Sequence, residues 1–216
     1  MSETCLFRAI LPFNSNSVKY LIVGLGNPGD EYSETRHNVG WKIADELASS
    51  LNVSFEDKRF GYVARAAFKS RTLVILKPTT FVNLSGRAVN YWLAHEKIGP
   101  DHLLIMVDDL ALPFGTIRIR PRGGDGGHNG LIHITQILGH QNYARLRFGI
   151  GNEYPYGRQV DYVLGTWTEE ERALLPERIK LASEAVKSYA TIGIERTMNL
   201  FNKNHNQGLA RKTEKE

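Results

Sequence analysis

The stretch LIVGLGNPGDEYSETRHNVG, residues 21–40, is the part of this chain that best indicates its fold class. It begins with a short run of aliphatic residues, which is typical of a buried strand, and Gly26, Pro28 and Gly29 then indicate a turn. Beyond the turn, apolar residues recur at every fourth position from residue 39 to residue 51, which predicts one buried face of a helix. A buried strand that leads into an amphipathic helix favours an α/β protein.

The remainder of the chain continues to alternate strand and helix patterns. The spacing of apolar residues predicts a hairpin at 62–68 and 73–78, a helix at 84–97, strands at 102–109, 116–120 and 143–151, a helix at 131–138, and two helices between 169 and 201 that break near 192–193. We found no internal repeat and no long linker. The pattern therefore predicts a single α/β domain with a twisted, mixed and largely parallel sheet and helices on both faces.

Composition narrows the class of protein. With 216 residues, of which 42% are hydrophobic and 23% are charged, the chain can bury one core and reads as a soluble globular domain. No apolar run approaches the roughly 20 residues that span a membrane. The single cysteine, Cys5, leaves no partner for an internal disulfide, which favours a reducing compartment and predicts a cytoplasmic location.

The two ends of the chain differ from its middle. Residues 1–18 lack the sustained apolar core and the basic cluster of a secretory signal, and we interpret them as an appended N-terminal arm. An organelle presequence remains an alternative for this arm. Residues 203–216 form a polar C-terminal tail, which leaves residues 19–202 as the predicted domain.

Positive charge is concentrated in one part of the chain. The net charge is only +4, yet the segment 115–150 contains five arginines against one aspartate. This imbalance predicts an anionic partner, and nucleic acid is favoured over a membrane surface. A solvated strand face is the alternative.

The glycines after the first strand also match a dinucleotide-binding pattern, G-x-G-x-x-G, at Gly24, Gly26 and Gly29. That pattern requires a helix at the third glycine with its N-terminus open to a pyrophosphate. Here polar residues intervene, and the acidic side chains within 30–34 would repel phosphate. We therefore disfavour a nucleotide site.

Four separated stretches place Asn, Asp or His beside glycine or at a strand end: GLGNPGDEYSETRHNVG, KPTTFVNLSGRAV, VDDLALPFG, and GGDGGHNGL followed by RLRFGIG. Asparagine offers a donor and an acceptor without charge, and histidine is a base near neutral pH. Such a set suits the hydrolysis of an ester or amide by water. No serine or cysteine nucleophile competes, because Ser85 lacks the G-x-S-x-G context and Cys5 lies in the arm.

In this order, the four stretches resemble the bacterial-type peptidyl-tRNA hydrolase family, from about Lys19 to Asn202. The resemblance implies a monomeric α/β enzyme with a phosphorylase/hydrolase-like fold and without cofactor or metal. Its substrate would be peptidyl-tRNA, bound by the acceptor stem and CCA end. It would cleave the ester between the peptide and the terminal ribose, which recycles tRNA and peptide after aborted translation. A non-catalytic RNA-binding relative is the alternative.

The resemblance assigns the reaction to two residues. His37 in TRHN matches the catalytic histidine, and Asp108 in VDD matches the carboxylate that orients it. A neutral imidazole can take a proton from water as it attacks an ester. The segment VDDLALP, residues 107–113, departs from the family's usual HDELDLP, but Asp108 is retained. We interpret the next residue, Asp109, as a solvated neighbour.

Substrate contacts are implied by the same resemblance. Asn27, Asn83 and Asn129 match the substrate-holding asparagines, and Tyr32 matches an aromatic residue near the site. Val82 stands where the family commonly has methionine, so the wall of the groove is altered there. Asn83 is also a candidate N-cap of the following helix.

Two further sets of residues complete these expectations. Arg118 and Arg120 share one side of a predicted strand, and Arg147 ends a second strand near the same glycine-rich loop, so all three are candidates for contacts with tRNA phosphates. Three histidines, His128, His133 and His140, raise the question of a metal site. Their spacing is not that of a zinc site, and no metal is predicted.

Overall fold

The computed structural model describes residues 17–204, so that most of the predicted arm and tail lies outside the described residues. Within this range the chain forms a seven-stranded sheet. Its strands are β1 Val18–Gly24, β2 Glu56–Lys58, β3 Gly61–Phe68, β4 Arg71–Pro78, β5 Leu103–Asp109, β6 Ile117–Arg120 and β7 Ala144–Gly149.

The sheet is mixed, with the strand order β2-β3-β4-β1-β5-β7-β6. Its four central strands, β4, β1, β5 and β7, run parallel. The outer strands β2, β3 and β6 pair antiparallel with their neighbours. The predicted hairpin is confirmed, since Gly61 lies opposite Pro78 and Phe68 lies opposite Arg71.

Six α-helices accompany the sheet in the described range: α1 Val39–Ser50, α2 Ser85–Glu96, α3 Asn129–Leu138, α4 Gln159–Val163, α5 Glu169–Ile192 and α6 Ile194–Asn204. The predicted break between the last two helices is found at Gly193, whose φ is 84°. Strand β2 and helix α4 were not predicted, because each is too short to show a periodic apolar pattern. None of the described helices is both long and apolar enough to cross a membrane.

Helices cover both faces of the sheet, as the sequence predicts. Successive side chains of a strand point to opposite faces, so that in β1 Ile22 packs in the layer of α1 and α5, whereas Leu21 and Val23 pack in the layer of α2 and α3. Each large apolar side chain buried in these layers stabilises the fold by about 1.5–3 kcal/mol. The two layers hold the carboxyl ends of the parallel strands at one rigid edge.

Helix α1 begins in direct contact with that edge. A Cβ atom on Gly40 would lie 2.5 Å from the Leu25 carbonyl oxygen and 2.6 Å from the Met106 carbonyl oxygen. One on Gly24 would lie 2.1 Å from the Gly40 carbonyl oxygen. Gly24 and Gly40 therefore allow helix and sheet backbones to touch, which explains Gly24 without a nucleotide and brings His37 next to the end of β5.

Candidate active site

A cleft of about 390 Å³ opens at the carboxyl edge of the parallel strands, where open α/β sheets commonly bind ligands. We call it the central cleft. Its lining comes from the loops after β1, β4 and β5 and from the segments that lead into α1 and α3. The lining includes seven of the candidate residues, namely Asn27, His37, Val82, Asn83, Asp108, Asn129 and Arg147.

His37 and Asp108 are in direct contact in this cleft. The His37 Nδ1 atom lies 2.9 Å from Asp108 Oδ1, and because a carboxylate can only accept, the ring donates from Nδ1. Burial of the ring lowers the pKa of His37, but the attraction of Asp108 and its hydrogen bond outweigh burial and raise the pKa overall. The neutral ring therefore leaves its Nε2 atom free to accept a proton.

A second imidazole contacts the same carboxylate. His128 Nε2 lies 3.1 Å from Asp108 Oδ1, and the two histidine rings are 5.0 Å apart between centroids. Burial opposes ionisation of Asp108, but the two histidines hold its pKa well below the usual range. From sequence, His128 was considered only as a metal ligand, although its position next to Asn129 in GGHNG was a signal for the site.

Asn27 has one side of its amide occupied. Its Oδ1 atom accepts the Val82 N–H at 2.9 Å, and its own backbone N–H and carbonyl pair with the buried side chain of Asn38. These bonds fix the turn after β1. They leave the Nδ2 amino group as the part of the Asn27 side chain that can donate to a ligand.

Two of the other candidate substrate residues, Asn83 and Asn129, are exposed in the lining of the cleft. Asn129 is the exposed first residue of α3, and Asn83 lies exposed in a short turn before α2. The N-cap interpretation of Asn83 is wrong, because Leu84 occupies that position and no side chain caps α2. Tyr32 does not line the cleft, but its ring packs edge-on against Phe81, a half-exposed lining residue that was missed.

Helix α4 forms an apolar wall of the cleft through Val160 and Val163. The wall is attached to the segment that carries His37, because the Arg36 guanidinium stacks on Tyr162 at 4.3 Å from the ring centroid. Arg36 is itself buried and pairs with Glu171 at 2.7 Å. Arg36, the residue before His37, thus holds the α4 wall of the cleft in place.

A larger depression adjoins the central cleft and contains all five arginines of the basic segment. We call it the basic groove; it measures about 650 Å³ and is lined by Arg118, Arg120, Arg122, Arg145 and Arg147 among others. Arg118 and Arg120 are exposed on alternate positions of β6, as predicted from the pattern. Arg147 lines both depressions, which makes the two continuous.

Two charged residues differ from the sequence-based expectations. Asp109 is largely buried and pairs with Arg147 at 3.1 Å, so its interpretation as a solvated neighbour is wrong. The cause is the parallel pairing of β5 and β7, which brings the ends of both strands to the same edge. Arg145 is also buried, with its guanidinium 4.3 Å from the Tyr143 ring centroid, so it adds little to the accessible charge of the basic groove.

The histidines considered as metal ligands do not converge. His133 Nδ1 accepts the Gly86 N–H, and His140 Nδ1 accepts the Asn142 N–H. Among the described residues, His37, Asp108 and His128 do lie close together, but hydrogen bonds account for each of their contacts, so we assign no metal ligand among them.

Comparison with known proteins gives a consistent result. A family model described as Peptidyl-tRNA hydrolase matches residues 21–208. The chain is 56% identical over 186 residues to a peptidyl-tRNA hydrolase of Bacteroides fragilis and 54% identical over 185 residues to one of Porphyromonas gingivalis, covering 86% of this chain and 100% of each relative. The crystal structure of the peptidyl-tRNA hydrolase from Acinetobacter baumannii superposes with a TM-score of 0.81 at 35% identity, covering 85% of this chain and 94% of that one.

Proposed function

This chain belongs to the peptidyl-tRNA hydrolase family, and on that premise we propose that it hydrolyses the ester between peptide and tRNA with His37 as the general base. The observation that carries the assignment is the contact between His37 Nδ1 and Asp108 Oδ1 in a cleft that adjoins an arginine-lined groove. The cleft would receive the ester, and the groove would receive the phosphates of the acceptor stem.

The proposed reaction begins with a water molecule near His37 Nε2. The ring takes a proton from this water as the oxygen attacks the ester carbonyl, a contribution of roughly 10² to 10⁴-fold in rate. Asp108 stabilises the imidazolium through the Nδ1–H bond. When the tetrahedral intermediate collapses, the bond between the carbonyl carbon and the ribose oxygen breaks. The imidazolium then returns the proton to that oxygen, so that free tRNA and a free peptide are released.

Asparagine donors provide the selectivity in this proposal. Asn27 would offer its Nδ2 amino group, while its Oδ1 atom accepts the Val82 N–H. A donor matches a carbonyl oxygen of the peptide, whereas a free α-ammonium group is itself a donor and cannot pair with it. Asn83 and Asn129 lie at the same cleft and are proposed to hold the substrate with it. Each hydrogen bond made only to the developing oxyanion would be worth about 3 kcal/mol.

The proposal also covers the contacts with tRNA, the oligomeric state and the location of the reaction. We infer contacts of tRNA phosphates with Arg118, Arg120 and Arg147, of which the first two expose their charge on β6. The domain at 19–202 would act as a monomer, without a metal or cofactor in any step, and in the cytoplasm, where its substrate arises. The arm at 1–18 and the tail at 203–216 have no assigned part.

A pair of substrates tests the function directly. We expect N-acetyl-aminoacyl-tRNA to be cleaved and the same aminoacyl-tRNA with a free amine to be spared, because the latter lacks the acyl carbonyl that a donor can bind. Release of labelled amino acid would be followed over time for both substrates. Equal cleavage of the two would indicate a general esterase. Binding of tRNA without any cleavage would indicate the non-catalytic relative.

A further inference from the structure

The buried carboxylate of Asp108 serves two histidines through one oxygen atom. His37 approaches Oδ1 at 2.9 Å and His128 approaches the same Oδ1 at 3.1 Å. The Asp108 side chain is only 4% exposed, so the protein, and not solvent, determines how its charge is shared. His128 has no role in the reaction proposed above, which leaves its contact with the catalytic carboxylate to be explained.

Backbone geometry fixes the proton of His128. The Gly130 N–H donates to His128 Nδ1 at 3.1 Å, so Nδ1 carries no proton and the remaining ring proton resides on Nε2, which faces Asp108. Gly130 is itself confined, since a Cβ atom there would lie 2.6 Å from Leu25 Cδ1 and 2.8 Å from Val82 Cγ1. His128 is therefore a rigid neutral donor to the carboxylate.

We propose that His128 is a positioning residue that orients Asp108 and weakens its pull on His37, so that His37 remains unprotonated and able to act as a base at neutral pH. The inference rests on the proposed function. Its physical basis is that a carboxylate oxygen shared between two donors offers each of them less negative charge. Without His128, Asp108 would hold the His37 imidazolium more tightly, which reduces the fraction of active base.

Of the charged and ionisable groups at the cleft, Asp108 and His128 are the ones placed to set the pKa of His37. Asp109, the other acid of β5 at the cleft, is paired with Arg147 of β7. Arg36, the neighbour of His37 in sequence, directs its charge to Glu171 of α5. The part of α4 that lines the cleft contributes no ionisable side chain. Substitution of His128 should therefore change the pKa of His37 through the effect on Asp108.

The test compares the titration of His37 in several full-length variants. His128→Leu and His128→Phe remove the donor, and the second retains ring volume in case the first does not fold. His128→Gln retains an amide donor. His133→Leu is a matched control, because His133 also accepts a backbone N–H through Nδ1 but lies outside the central cleft. The pH profile of kcat/KM on N-acetyl-aminoacyl-tRNA and the NMR titration of the His37 ring are both recorded.

The acid limb is the low-pH part of the profile, where kcat/KM decreases as His37 becomes protonated. We expect His128→Leu and His128→Phe to move this limb and the NMR titration of the His37 ring to higher pH by at least about 0.5 unit. His128→Gln should return the limb towards the wild-type position, and His133→Leu should not move it. Unchanged or lowered His37 titration in both donor-free variants would overturn the proposal. Because NMR titration needs no turnover, a failure of the hydrolase assignment would appear separately, as absence of cleavage by the wild-type protein.

Discussion

At the scale of single residues, the proposed catalytic role of His37 and its bond to Asp108 together predict the pH range of activity. Asp108 raises the pKa of His37 above its usual value of 6.5 despite the burial of the ring. The protonated ring cannot accept a proton. As the pH is lowered, kcat/KM should therefore decrease with a midpoint above pH 6.5 and with the slope of a single protonation. The shape of this limb reports on the base directly.

Asp108→Asn should shift this limb in the opposite direction from the loss of His128. Without the carboxylate, burial alone acts on the ring and lowers the pKa of His37, so the acid limb should move to lower pH while kcat decreases. The measurement is kcat/KM from about pH 5 to 9 with N-acetyl-aminoacyl-tRNA. Asp125→Asn, which removes a carboxylate outside the central cleft, is the control. An upward shift in Asp108→Asn would contradict the role given to Asp108.

The residues of the site were only partly predictable. His37, Asp108, Asn27 and Asn129 belong to motifs at strand or helix ends, where sequence indicates exposed polar groups at a sheet edge. The contact of His128 with Asp108 depends on how α3 packs beside β5, and no local pattern encodes it. The same limit applies to the direction of the Asn27 amide, which is fixed by a backbone N–H 55 residues away.

At the scale of elements, the junction of α1 with the sheet determines where His37 lies. A side chain on Gly40 would collide with backbone atoms of Leu25 and Met106, which cannot move without separating β1 from β5. Gly40→Ala should therefore lower the free energy of unfolding by about 3 kcal/mol or more, although alanine normally favours a helix over glycine by roughly 1 kcal/mol.

Thermal or urea unfolding would measure this effect. Gly99→Ala is the matched control, because no atom lies within 4 Å of the added methyl group. Its stability should stay close to wild type. A Gly40→Ala protein as stable as the Gly99→Ala protein would show that helix and sheet are not in the close contact described, and the placement of His37 beside Asp108 would lose its structural basis.

Elements with a periodic apolar pattern, including the short strand β6, were predicted from sequence, whereas β2 and α4 were not. The 24-residue helix α5 and its break at Gly193 follow from periodicity and glycine. Strand β2 has three exposed polar residues and is defined only by pairing with β3. Helix α4 has five residues, yet it forms a wall of the cleft because Arg36 attaches it to the segment of His37.

At the scale of the whole molecule, the strand order places the basic groove beside the central cleft. Strand β7 lies between β5 and β6, so it joins the edge that carries Asp108 to the strand that carries Arg118 and Arg120. Sequence indicated the arginines but not this order, because pairing of β6 with β7 depends on contacts between distant segments. A tRNA whose phosphates lie in the groove would present its 3′ ester to the cleft.

Substitution of Arg118 and Arg120 by alanine should weaken binding more than turnover. Phosphate contacts that are equal in the ground and transition states raise affinity without changing kcat, so their removal should raise KM. The dependence of affinity on salt should also become shallower, by roughly one unit of log–log slope for each phosphate that is no longer neutralised. Lys180→Ala, an exposed cation of α5 outside both depressions, is the control. Unchanged KM and salt slope would place the tRNA elsewhere.

Single-turnover cleavage of N-acetyl-aminoacyl-tRNA by His37→Ala is the decisive measurement of whether His37 is the base. We expect the rate to fall by about 10²-fold or more while tRNA affinity stays near wild type, because the imidazole contacts Asp108 in the cleft and not the arginines of the groove. Circular dichroism and a tRNA-binding isotherm would establish that the variant is folded. A folded His37→Ala protein that cleaves the blocked substrate at the wild-type rate would contradict the assignment of His37 as the base.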